Sequence, residues 1–246
     1  MSQSPPPPPP PGGYGSPPPG GYGYGGQPPG AASWDVGTAL SYGWTKFQAN
    51  AGQIILAALA LFVGVAVVVV GFVAIQSAII SYDTSFFVVL FLNAVFVAAL
   101  IVVLQIIGAG IIRGALDITE GREFTAATVF KFQNVANVVV TALLIGAAVL
   151  VGTILCYLPG LVAGFVTSYA LYFVVDKNMA PVDAIKASFE LVKDNLGNTV
   201  IWYIVSAIVG GVGAIACGVG LLVTYPIAII GTAYTYKRLT GQEVAP

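Results

Sequence analysis

The residues best placed to do chemistry are three carboxylates, Asp117, Glu120 and Glu123, which share one stretch with Arg113 and Arg122. Carboxylates so spaced are the donor set for a hard cation such as Ca²⁺ or Mg²⁺. The interleaved arginines favour a solvated cluster of paired charges instead. The chain contains no His, which removes the commonest general base and the commonest metal ligand together. Two Cys and two Met are too few for a zinc or iron–sulfur site. Gly210-Gly211-Val212-Gly213 and Gly218-Val219-Gly220 resemble nucleotide loops, but a phosphate loop needs a preceding strand and a polar setting. Within apolar runs such glycines serve close helix packing. The expectation is a chain without catalytic, cofactor or metal sites, and not an enzyme.

The elements that would position these residues are membrane helices. Hydrophobic residues make up 57% of the 246 and charged residues 8%, against about 25% charged in a soluble domain. A net charge of −1 gives no attraction for nucleic acid. Charge is absent from 54–82, 84–112, 132–175 and 195–236, and a spanning helix needs about 20 apolar residues. The first two stretches hold one span each. The last two hold two each, divided at Leu158-Pro159-Gly160 and at Cys217-Gly218-Val219-Gly220, where proline and glycine disfavour helix. Six spans follow, at 54–80, 86–112, 138–157, 160–175, 199–216 and 221–236. A soluble bundle is disfavoured because these segments lack a polar face.

The nine basic residues are Lys46, Arg113, Arg122, Lys131, Lys177, Lys186, Lys193, Lys237 and Arg238. With six spans all fall on one side, and Asp83 is the sole charge on the other. The positive-inside rule makes the basic side cytoplasmic. The reading is a multi-pass plasma-membrane protein with both termini inside, its first span serving as an uncleaved insertion signal.

Residues 1–32 are rich in Pro, Gly and Tyr and hold no charge. They cannot bury enough apolar area to offset their chain entropy. A disordered cytoplasmic tail is expected, and its proline block in polyproline II suits docking to a protein partner. Residues 33–240 form the six-span domain, and 241–246 a short C-terminal tail. Short matches, Lys46-Phe47-Gln48 with Lys131-Phe132-Gln133 and Asn50-Ala51-Gly52-Gln53 with Asn195-Leu196-Gly197-Asn198, fit three copies of one unit: an amphipathic helix, a polar turn and a hairpin. The three amphipathic helices start near Ser33, Thr125 and Pro181. Their apolar residues, including Trp34, Trp44, Phe47, Phe132, Ile185 and Phe189, are expected to anchor in the cytoplasmic leaflet, so that membrane lipids are partners.

Cys156 and Cys217 end spans three and five on the outer, oxidising side. Two readings stay open: a disulfide tying two hairpins, or two small apolar residues in helix packing. Asn93 and Gln105 are read as interhelical hydrogen-bonding amides, with a polar pathway as the alternative.

The segment from Leu158-Pro159-Gly160-Leu161 through Val174-Val175-Asp176-Lys177-Asn178 to Pro181-Val182-Asp183-Ala184-Ile185-Lys186-Ala187-Ser188-Phe189-Glu190-Leu191-Val192-Lys193 resembles bacterial multi-span proteins related to the membrane domain of glycerophosphoryl diester phosphodiesterases. The tail resembles actinobacterial proline- and glycine-rich transmembrane proteins. The resemblance implies an all-α bundle of six transmembrane helices with interfacial helices. It does not imply phosphodiesterase activity. The leading functional expectation is a non-enzymatic scaffold or accessory factor of the cell envelope. The alternative is a transporter of a lipid or small apolar solute.

Overall fold

A computed structural model describes residues 34–80, 84–131, 133–215 and 220–246. These form helices α1 (Val36–Ile79), α2 (Phe86–Thr119), α3 (Val135–Leu155), α4 (Tyr157–Val166), α5 (Ala170–Lys177), α6 (Pro181–Asp194), α7 (Leu196–Ile215) and α8 (Leu221–Leu239), with a short 3-10 helix at Ala126–Phe130. The described residues contain no strand. Among the described residues five segments are long and apolar enough to cross a membrane: Val36–Ile79, Val102–Thr119, Val135–Leu155, Tyr157–Lys177 and Leu196–Ile215. Phe62, Val67, Phe86, Phe87, Ile154 and Leu155 point outward with 66–77% of their surface exposed. Apolar side chains so exposed on long helices belong in hydrocarbon, where they cost nothing.

Asp35 starts α1 by accepting hydrogen bonds from the Thr38 amide at 2.8 Å and the Thr38 hydroxyl at 3.1 Å, as an N-cap does. The Thr38 amide, more than any other contact, holds the Asp35 carboxyl below its ordinary range. The helix then runs 44 residues without a break. At 1.5 Å per residue that is about 66 Å, roughly twice the hydrocarbon thickness. The expected separate amphipathic helix and polar turn at 50–53 are therefore one continuous helix with the first span. Asn50 satisfies itself inside it by donating to the Lys46 carbonyl at 2.9 Å, so its polarity does not force a turn.

Other expected boundaries also move. The break placed at 158–160 falls at Cys156, between α3 and α4. Pro159 occupies the first turn of α4, where a missing N–H removes no helical bond. Gly152 and Gly160 then allow α3 and α4 to touch: a Cβ on Gly152 would lie 2.8 Å from the Gly160 nitrogen. The fourth expected span is itself interrupted between Val166 and Ala170. The buried Ser188 hydroxyl of α6 repairs that interruption, donating to the Val166 carbonyl at 2.8 Å and accepting from the Tyr169 amide at 3.1 Å. The amphipathic helix expected from Thr125 is only the five-residue 3-10 helix. The chain there presses its backbone onto α2 at Gly110, where a side chain would collide with the Val129 carbonyl. The helix expected at Pro181 is α6, which buries Ala184, Ala187, Ser188, Leu191 and Val192.

The core gathers around α8. Gly43 of α1 meets it closely, since a Cβ on Gly43 would stand 2.6 Å from the Ile227 carbonyl oxygen. On the next turn Gly231 accommodates the Trp202 ring of α7, which would come within 2.3 Å of an added Cβ. The Trp202 indole donates to the Thr232 hydroxyl at 2.9 Å, so α1, α7 and α8 are locked around two glycines and one tryptophan.

Candidate functional site

The last turn of α8 carries Lys237, whose side chain is 3% exposed. An ammonium has three donors and needs three acceptors when buried. Lys237 Nζ finds them in Glu120 Oε1 at 2.6 Å, Asp176 Oδ1 at 2.7 Å and Gln242 Oε1 at 2.7 Å. The other Asp176 oxygen accepts from the Tyr236 hydroxyl at 2.9 Å and Gln242 Nε2 at 3.1 Å. Glu120 and Asp117 both pair with Arg122, and Arg113 Nε lies 3.1 Å from Asp117. Burial works against the charge on Arg122, but its bonds to Asp117 and the nearby Glu120 outweigh that and raise its pKa. Three cations face three carboxylates, so the cluster is neutral and each carboxylate already has a cation. Among the described residues no group of His, Cys, Asp or Glu is arranged to hold a metal. Glu123 is exposed and stands outside the cluster.

The segment after α8 folds back over this cluster. Ala245 donates its amide to the Thr119 carbonyl at 2.8 Å and accepts from the Tyr42 hydroxyl at 3.0 Å. Lys46 reaches the Pro246 carbonyl. The C-terminal residues thus join α1 to α2 beside a network that already joins α2, α5 and α8.

Between α1, α2 and α8 lies a cavity of ≈ 410 Å³. Ile54 and Ala57 form its α1 wall, Ala115 and Ile118 its α2 wall and Tyr225 its α8 wall, and Phe124 also borders it. The lining is almost wholly apolar. Its size falls within the range of about 300–1,000 Å³ seen for small-molecule sites. Its α1 and α2 walls belong to segments long and apolar enough to cross a membrane.

The expected anchors are dispersed. Trp34 donates its indole N–H to the Thr235 hydroxyl at 3.1 Å. Phe47 is buried in the core instead of facing lipid, because α1 turns that face to α8. Trp44 is exposed beside it, with ring centroids 6.2 Å apart. Ile185 is half-buried and Phe189 50% exposed on the outer face of α6. Phe132 lies outside the described residues, as do the tail at 1–32 and Cys217. Cys156 is free and exposed. Asn93 donates to the Val89 carbonyl of its own helix at 2.8 Å, and Gln105 lines the α2–α3 interface beside Val139 and Ala142. Sequence reasoning missed Asp176, Tyr236, Lys237 and Gln242. The available signal was one opposite charge at the end of each of two apolar runs.

The chain is 34% identical over 234 residues to uncharacterized protein Rv2560 of Mycobacterium tuberculosis, a match covering 87% of this chain and 71% of that protein. The same identity and coverage hold for uncharacterized protein Mb2590 of Mycobacterium bovis and uncharacterized protein MT2637 of another Mycobacterium tuberculosis strain. No family model matches the chain. No solved structure matches it.

Proposed function

The chain belongs to the family of the mycobacterial proteins Rv2560, Mb2590 and MT2637, and from that premise we propose a membrane protein that holds the acyl part of a lipid, or an apolar solute, between α1, α2 and α8. The ≈ 410 Å³ apolar cavity carries the reading. It turns the balance from a purely structural scaffold toward the handling of an apolar ligand. The protein acts without covalent chemistry: it has no His, and each carboxylate of the charged cluster is engaged by a cation. The likeness to the membrane domain of glycerophosphoryl diester phosphodiesterases enters only as a class of helical bundle.

In this proposal α8 is the sixth span. Its basic last turn and Pro226 lower its mean hydropathy, but residues 221–236 hold no charge. The basic ends then share the cytoplasmic side with both termini, and the outer face of α6 with Ile185 and Phe189 rests in the inner leaflet. A cysteine at position 186 should label only after permeabilisation, and external labelling there refutes the topology. For the cavity, a lipid with a photoreactive acyl chain should cross-link to 111–118 and 221–229. Ala115→Phe, which fills the space, should abolish this. Uniform labelling of all outward helices, unchanged by Ala115→Phe, defeats the reading.

The scaffold role is a second reading, favoured by the Pro/Gly/Tyr composition of residues 1–32. Pull-downs with and without those residues test it. Loss of a protein partner on deletion supports it, and identical captures count against it.

A further inference from the structure

A second, smaller cavity opens on the basic side of the bundle, where α2, the start of α3 and the end of α5 meet. Its polar lip consists of Arg113, Lys131, Gln133, Asn134 and Asn178, and its floor includes the buried Val138. The two asparagines fix the lip. Both hold left-handed backbone conformations, φ 56° and 57°, and the Asn134 amide donates to the Asn178 side-chain oxygen. Asparagine tolerates that conformation where most residues do not. Arg113 spends only Nε on Asp117, leaving its two terminal nitrogens for another acceptor. Lys131 forms no ion pair among the described residues and stands at the lip.

We infer that this lip binds the phosphate of an anionic lipid headgroup, with the acyl chains descending along the adjoining apolar helix surface. Two cations and three amides supply donors without a competing carboxylate on the lip itself, the arrangement that suits phosphate oxygens. The enclosed space is ≈ 20 Å³, enough for one oxygen-sized group. The site therefore grips a phosphate oxygen at the surface and does not engulf a molecule. Polar lip over apolar floor matches an amphiphile lying at the interface. Free phosphate shares this chemistry, and the test separates the two. The site is distinct from the apolar cavity between α1, α2 and α8, and its occupancy does not require that cavity to be filled.

The test uses the full chain in detergent, presented with equal amounts of phosphatidylglycerol and phosphatidylcholine of matched acyl chains, with retained lipid counted by native mass spectrometry. The native protein should prefer phosphatidylglycerol. Lys131→Gln should cut that preference about fivefold, the worth of one cation near a lipid surface. Lys186→Gln, the same charge loss on exposed α6, should leave it, and Lys131→Arg should keep it. Lys131 is exposed, so its replacement leaves the fold intact. Equal retention of the two lipids by the native protein, or equal losses in Lys131→Gln and Lys186→Gln, overturns the inference. Displacement of phosphatidylglycerol by millimolar inorganic phosphate assigns the site to a small anion and overturns it as well. Ala115→Phe should leave the preference unchanged, so failure of the apolar cavity reading is seen separately.

Discussion

Lys237 of α8 and Asp176 of α5 meet at 2.7 Å across 61 residues of sequence, in a site where the lysine is almost wholly buried. Removing one partner of a buried pair strands the other charge, at a cost of about 3–5 kcal/mol. Lys237→Met should lower the thermal midpoint in detergent strongly, because Glu120 and Asp176 both lose their ammonium. The triple change Lys237→Met, Asp176→Asn, Glu120→Gln should recover much of that loss. A single Lys237→Met with an unchanged midpoint would show that the network does not hold the bundle together.

Ser188 is expected to matter out of proportion to its size. Its hydroxyl serves two backbone groups left open where α4 stops and α5 begins. Ser188→Ala leaves a part-buried carbonyl and a buried amide unpaired, at about 1–3 kcal/mol. The readout is hydrogen exchange at Tyr169, which should quicken in the variant while exchange in α7 stays constant.

Gly43 and Gly210 form a matched pair of tests. Gly43→Ala places a methyl 2.6 Å from the Ile227 carbonyl, and backbone cannot swing aside as a side chain does. Overpacking of this kind costs about 1–3 kcal/mol. An added methyl on Gly210 meets nothing within 4 Å, so Gly210→Ala should be neutral or mildly stabilising through better helix propensity. Equal thermal midpoints for the two variants would contradict close packing of α1 on α8.

Acid should loosen the start of α1. The Asp35 carboxyl is held below its usual value, first by the Thr38 amide and then by the Thr38 hydroxyl. A depressed carboxyl stabilises the folded helix above its unfolded pKa of about 3.9. That contribution fades as pH falls through the lower folded value. Protection of the Thr38 amide should accordingly be constant at neutral pH and drop only in strong acid, and Asp35→Asn should flatten the profile.

Much of the helical layout was legible because apolar runs of about 20 residues report themselves directly. The ends of α7 and α8 fall within a few residues of expectation for that reason. The continuity of α1 was not legible: Asn50, Gly52 and Gln53 look like a turn until Asn50 is seen bonded to Lys46 one turn back. Pro159 misplaced the α3–α4 break because its position within a first turn depends on where the helix starts. The charged cluster was half visible. Arg113, Asp117, Glu120 and Arg122 are neighbours in sequence, whereas Asp176 and Lys237 join them only through the approach of α5 and α8 to α2. The apolar cavity left no trace at all, since Ala57 and Ala115 read the same whether they fill a space or border one.

The uninterrupted α1 also ties two parts of the bundle together. Its first half is clamped to α8 at Gly43 and Phe47, and its second half runs on to Ile79 as the same rigid rod. The wall of the apolar cavity at Ile54 and Ala57 lies between that clamp and the far end of the helix. Any shift of α1 at the clamp would carry that wall with it, because the helix between them is unbroken.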